Sequence, residues 1–167
     1  TLNYGKYLES NRNAPKLLRK AVEFRRRFID PVADEIDKKM LHDPHFHPHG
    51  IVVRGCEYGL LTLPVPSFMG GGDAKVLDSA IVLEELCAGC AGIANIFGAH
   101  YLGLSCVLVG LALHQFDTIV RELVEKEKQG EPVIFSAAVT EPMAGTDVED
   151  GDLLRTARLM TFAKKVK

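Results

Sequence analysis

Between Ala91 and Phe116 the chain reads AGIANIFGAHYLGLSCVLVGLALHQF, apolar on nearly every side and rich in Gly and Ala. A helix without a polar face must be covered from several directions, and small residues let its neighbours come close. The segment therefore predicts a core helix with other helices wrapped around it. His100 and His114, on or beside it, read as hydrogen-bonded structural histidines rather than catalytic ones.

The flanking patterns agree. From Pro15 to about Met40, Leu18, Val22, Phe28, Ile29, Val32, Ala33 and Ile36 recur at helical spacing, which predicts an amphipathic helix. Pro31 should kink it or start a second helix, because its ring removes a donor and crowds the preceding turn. Residues 41 to 50, LHDPHFHPHG, predict a solvated loop, with a metal site on His45, His47 and His49 as a distant alternative. Residues 55 to 73 end in prolines and Gly70, Gly71 and Gly72 and predict an irregular connection. Asp73 reads as the N-cap of a helix carrying Val76, Leu77, Ala80, Ile81, Leu83 and Leu86, and residues 117 to 132 as an amphipathic helix closed by Gly130 and Pro132.

After Pro132 the character changes. VIFSAAVT is short, apolar and β-branched, and residues 153 to 167 alternate in part, so two strands are predicted. The fold class is mainly α: a helical bundle over 1–132, then the first strands of a β-domain over 133–167.

Length and charge narrow the functions. At 167 residues one compact unit is expected, and no apolar run approaches the roughly 20 residues of a membrane span. A net charge of -2 with dispersed basic residues gives nucleic acid little purchase. The N-terminus lacks a secretory or transit pattern, which favours the cytoplasm. Cys56, Cys87, Cys90 and Cys106 read as thiols, and the pair Cys87 and Cys90, inside an apolar helical pattern, as small buried core residues; no metal is expected.

The stretch AAVTEPMAGTDV, 137 to 148, ends the first apolar strand in a threonine and lays a small-residue loop beside it. Thr140 offers a hydroxyl, Pro142 fixes the turn, Gly145 admits close backbone approach, and Thr146 adds a second hydroxyl. Chemistry alone favours an ordinary β-turn here. The stretch nevertheless resembles the signature of the acyl-CoA dehydrogenase family, a short strand followed by Thr-Glu-Pro, a small residue and Ala-Gly-Ser-Asp. FIDPVADEIDKK is similar to that family's first long helix, and GLLTLPVPSFMGGGDAKVLDSAIVLEELCAGCAG to its Gly-Leu, Pro, Gly-Gly and Glu-Glu-Leu pattern, in the same order. This chain differs in carrying Thr146 for the usual serine and Met143 for the usual glycine.

The resemblance implies an FAD enzyme that removes hydrogens from the α and β carbons of an acyl-CoA thioester, with electron-transferring flavoprotein as acceptor and a homotetramer as assembly. It implies that Ala137 and Val139 lie against the flavin and that Thr140 hydrogen-bonds its ring. Gly145 and Thr146 would lie near the FAD pyrophosphate and the CoA, and Asn95, Gly98 and Ala99 along the acyl tail. It implies that the catalytic carboxylate and a C-terminal four-helix domain lie beyond Lys167, so that these 167 residues are catalytically silent. Glu84, Glu85 and Glu141 read as helix or loop acids, not as that base. The alternative is a non-enzymatic helical module that dimerises through an exposed apolar face.

Overall fold

The computed structural model describes residues 5–110, 113–138, 140–142, 144, 145, 151, 152, 155, 160–162 and 164, with only the backbone for 113–115. The chain divides into two compact units, Thr1–Ser136 and Ala137–Lys167. The first is helical: α1 (Gly5–Ser10), α2 (Ala14–Phe24), α3 (Ala33–His42), α4 (His49–Glu57), α5 (Val76–Cys87), α6 (Ala91–Gly110) and α7 (Leu113–Lys128).

The first amphipathic stretch is not one helix. α2 buries Leu17, Ala21 and Phe24, so its inward stripe is centred beside Leu18 and Val22, which are only half-buried. A π-helical turn follows at Arg25–Ile29, with Asp30 N–H reaching back to the Arg25 carbonyl at 2.9 Å, and α3 starts beyond Pro31. Pro31 can donate nothing to the preceding turn, and one wide turn makes room for its ring, so the irregularity falls ahead of the proline rather than on it. Arg25 is fixed there by Glu85 at 2.8 Å and Asp30 at 2.9 Å. Gly89 permits this close approach, because a Cβ on it would stand 2.8 Å from both Arg25 Cγ and Asp30 Oδ1.

Three boundaries differ from the sequence expectation. The histidine loop is shorter, because α3 runs to His42 and α4 starts at His49. α4 itself takes in residues 55 to 57 of the expected irregular stretch; Gly50, Gly55 and the β-branched Ile51, Val52 and Val53 are poor helix formers, and burial of Val52 and Cys56 decides the matter. Asp73 is not the N-cap of α5: it has φ +54°, and the Lys75 N–H at the cap bonds the Asp78 carboxylate at 3.0 Å.

The connection from Tyr58 to Lys75 is irregular yet buried at Leu60, Leu61, Leu63 and Val65. Its backbone is satisfied by folding on itself, with Gly72 N–H to Thr62 O and Ala74 N–H to Leu63 O. The glycines make this possible: a Cβ on Gly71 would lie 2.3 Å from the Val65 carbonyl oxygen.

One core gathers Phe24, Ile29, Leu60, Leu86, Ile93 and Phe97, with Phe24 and Phe97 meeting edge to face. A second gathers Val65, Leu104, Val120, Leu123 and Val124. α6 serves both as the core helix. By length and composition alone its 20 residues would suffice to cross a membrane, which corrects the expectation that no run approached that length. Its face through Ile93, Phe97, His100, Tyr101 and Leu104 is instead buried in protein. Cys87 and Cys106 are exposed and Cys90 half-buried, so of the four thiols only Cys56 is a core residue. Burial pushes the Cys56 thiol up to about 11, which leaves it protonated and inert.

Residues 133 to 138 alternate half-buried and exposed positions as a strand does, but have no strand partner among the described residues. The second expected strand lies largely outside them.

Candidate functional site

The loop after Ala138 closes tightly on itself. Glu141 N–H donates to Ala144 O at 2.9 Å and Ala144 N–H returns to Glu141 O at 3.2 Å, so Pro142 lies within a tight turn. Thr140 and Gly145 flank the closed pair, and a Cβ built on Gly145 would lie 3.7 Å from Thr140 Cγ2. The turn is anchored from below: the Glu141 carboxylate accepts the N–H groups of Met160 and Thr161, both at 2.6 Å, and the Thr161 hydroxyl. The Thr161 hydroxyl, with these backbone donors, holds the Glu141 carboxyl below its ordinary range. Glu141 is therefore a loop anchor, as expected of a loop acid.

Of the expected cofactor residues, Ala137 and Gly145 are half-buried and Thr140 is exposed, its hydroxyl engaged by no described residue. Val139 and Thr146 lie outside the described residues. A hydroxyl that both donates and accepts, held on a pinned turn next to a glycine, fits the edge of a polar planar ring such as flavin. Among the described residues no three His, Cys, Asp or Glu side chains are grouped to hold a metal; His45, His47 and His49 are exposed.

Between α5 and α6 runs an apolar groove of about 750 Å³, with Val76, Ala80 and Leu83 on one wall and Leu102, Leu108 and Val109 on the other. Val76 and Val109 stand 90% and 88% exposed, unusual for large apolar side chains on a packed helix. Asn95 and Ala99 continue the same exposed stripe of α6 towards its N-terminus, and Gly98 lies against Leu83, 3.7 Å from its Cδ1 by a constructed Cβ. Leu102 and Val109 do not stand out in the sequence, because their neighbours are as apolar as they are, and Leu83 reads there only as a helix position.

A buried polar network lies under the irregular connection. The Glu127 carboxylate accepts Leu61 N–H at 2.7 Å, Thr62 N–H at 3.1 Å and the Thr62 hydroxyl. Burial pushes its carboxyl up, against these donors and Lys20. Tyr101 donates to Leu60 O at 2.8 Å. Glu127 sits on the stripe Val120, Leu123, Val124 and was legible as an acid in an apolar register. His100 is fully buried, with Nε2 2.8 Å from Leu61 O and Nδ1 accepting Phe135 N–H at 3.0 Å. It is a structural histidine, as its sequence context predicts.

Residues 13–112, more than half of the chain, match the family described as acyl-CoA dehydrogenase, N-terminal domain. Among similar proteins, the 3-(aryl)acrylate reductase of Clostridium sporogenes (strain ATCC 15579) is 31% identical over 146 residues, which cover 86% of this chain and 35% of that protein. The mitochondrial short-chain specific acyl-CoA dehydrogenase of Homo sapiens is 32% identical over 90 residues, 52% of this chain and 21% of that protein. The chain thus spans about a third of the length of the first and a fifth of the second.

Proposed function

We propose, from the premise that the chain belongs to the acyl-CoA dehydrogenase family, that it supplies the helical acyl-binding part and the first flavin-contacting segment of an FAD oxidoreductase acting on an acyl-CoA thioester. The observation that carries this is the pinned turn Glu141–Ala144 with Thr140 beside it, its hydroxyl unclaimed by the described residues. When bound, flavin supplies the two-electron acceptor for the β-hydrogen of the acyl group. The chain's own share is binding and orientation. Thr140 hydrogen-bonds the ring edge; Ala137 and Val139 give it a smooth apolar seat; Gly145 and Thr146 face the pyrophosphate and CoA. Asn95, Gly98, Ala99 and the adjoining groove cover the acyl tail, each buried methylene contributing about 0.8 kcal/mol. Residues 133 onward begin the β-domain.

Glu85, Glu127 and Glu141 are each committed to structural partners. The family resemblance, not their elimination, assigns the base that takes the α-proton to a segment outside these 167 residues, together with the surfaces for electron-transferring flavoprotein and for tetramer formation; the site of action is taken as cytoplasmic.

The test is the purified protein with FAD. Retention of FAD is expected, with Thr140→Val weakening it about tenfold, the ~1.4 kcal/mol of one hydrogen bond. In a protein completed by the base-bearing segment, an acyl-CoA added without oxygen should bleach the flavin, which takes up two electrons as the thioester is oxidised to the 2,3-enoyl-CoA; the 167 residues alone should leave it oxidised. A protein that ignores added FAD overturns the reading and favours the interaction module. A second direction is favoured by the length of the match to the acrylate reductase, 146 residues: in that completed protein, chemically reduced flavin reoxidised by an acrylate as the double bond is reduced, with no bleaching by saturated acyl-CoA, would identify a reductase.

A further inference from the structure

His100 has two hydrogen-bond partners of fixed character. The Leu61 carbonyl can only accept, so Nε2 carries the proton; the Phe135 N–H can only donate, so Nδ1 is bare. The neutral ring is therefore held in one tautomer and one orientation, bridging the irregular connection to the segment leaving α7. Three residues on, on the same face of α6, stands Gly103. A Cβ there would lie 2.7 Å from Ser136 N and 2.8 Å from Phe135 C, so the helix meets the backbone of 135 and 136 directly. Val133 and Phe135 rest on the second core, and Phe135 stands 5.8 Å from the imidazole. Ser136 is the last residue of the helical unit, and Ala137 opens the next.

We propose that His100 and Gly103 are positioning residues for the cofactor-binding segment: together they fix the backbone of Phe135 and Ser136, the two residues that precede 137–140 in the chain. This rests on the reading of 137–140 as flavin-contacting. His100 acts on Phe135, and Gly103 on Phe135 and Ser136, the last two residues of the helical unit.

The test compares three variants of the purified protein. His100→Asn keeps an amide oxygen where Nδ1 stands and loses the Leu61 bond; His100→Gln reaches the Leu61 carbonyl and leaves Phe135 N–H without an acceptor; Gly103→Ala meets the backbone of residues 135 and 136 first. Hydrogen exchange reads the clamp and equilibrium dialysis with FAD reads its consequence. In His100→Gln and Gly103→Ala the Phe135 and Ser136 amides should exchange about 100-fold faster, with FAD held about tenfold more weakly, while His100→Asn stays near wild type in both. Unchanged exchange and affinity in both loosening variants overturn the proposal, as does an equal loss in the Asn and Gln variants. If His100→Gln fails to fold, Gly103→Ala decides alone. Wild-type protein that takes up no FAD refutes the flavin reading instead, and exchange at 135 and 136 still judges the clamp.

Discussion

A proton on His100 Nδ1 would face the Phe135 N–H that it now accepts, and burial holds this imidazole's pKa below the ordinary value. The sign follows: the unfolded chain takes up the proton first as pH falls from about 6.5, so the histidine's contribution is complete above that and declines towards its lower folded value. Denaturant titrations at pH 7.5 and 5.5 should show wild type losing more stability than His100→Asn, the difference between proteins cancelling every other titrating group. Glu127 is the second residue on which much depends. Glu127→Ala strands two buried N–H groups and a hydroxyl and should cost about 2 to 4 kcal/mol in urea unfolding; Glu127→Gln, which keeps one acceptor oxygen, should cost less than half of that. Both residues were readable as polar atoms in apolar registers. Their partners were not, since Leu61, Thr62 and Phe135 lie between 35 and 66 positions away.

Elements were legible where burial follows period. α7 emerges from its spacing because Val120, Leu123 and Val124 lay one stripe on the core, and α6 from its all-round apolarity; α5 emerges as a helix although Val76, Leu77 and Ala80 of its apolar set stand exposed and only Ile81, Val82 and Leu86 of its apolar residues are fully buried. α4 did not, because its helix formers are poor and only contacts such as Gly55 against Phe97 stabilise it: a Cβ on Gly55 would stand 2.7 Å from the Phe97 ring. The glycines supply a paired prediction. Gly89→Ala drives a methyl into Arg25, Asp30 and Ile29 and should lose about 1 to 3 kcal/mol of stability, together with the π-helical turn those residues form. Gly50→Ala, in α4 with no atom within 4 Å of the new Cβ, should gain about 0.5 to 1 kcal/mol in the same melts.

For the whole molecule the exposed groove is the feature that invites a ligand or a covering surface. Val76→Lys with Val109→Lys should cut binding of an apolar fluorescent dye about tenfold yet alter unfolding free energy by no more than about 0.5 kcal/mol, because both side chains already stand in solvent. Equal dye binding in wild type and variant would remove the groove as an acyl site. Sequence by itself determined the helical class, the core helix, the break near Pro31 and the family, since apolar period, proline geometry and ordered motifs are properties of the chain read locally. Only tertiary structure decided that α6 leaves one stripe uncovered, that three glycines let a loop bury itself, and that His100 holds Phe135. Those depend on which surfaces meet across distant positions, and period along a chain carries no record of distance through space.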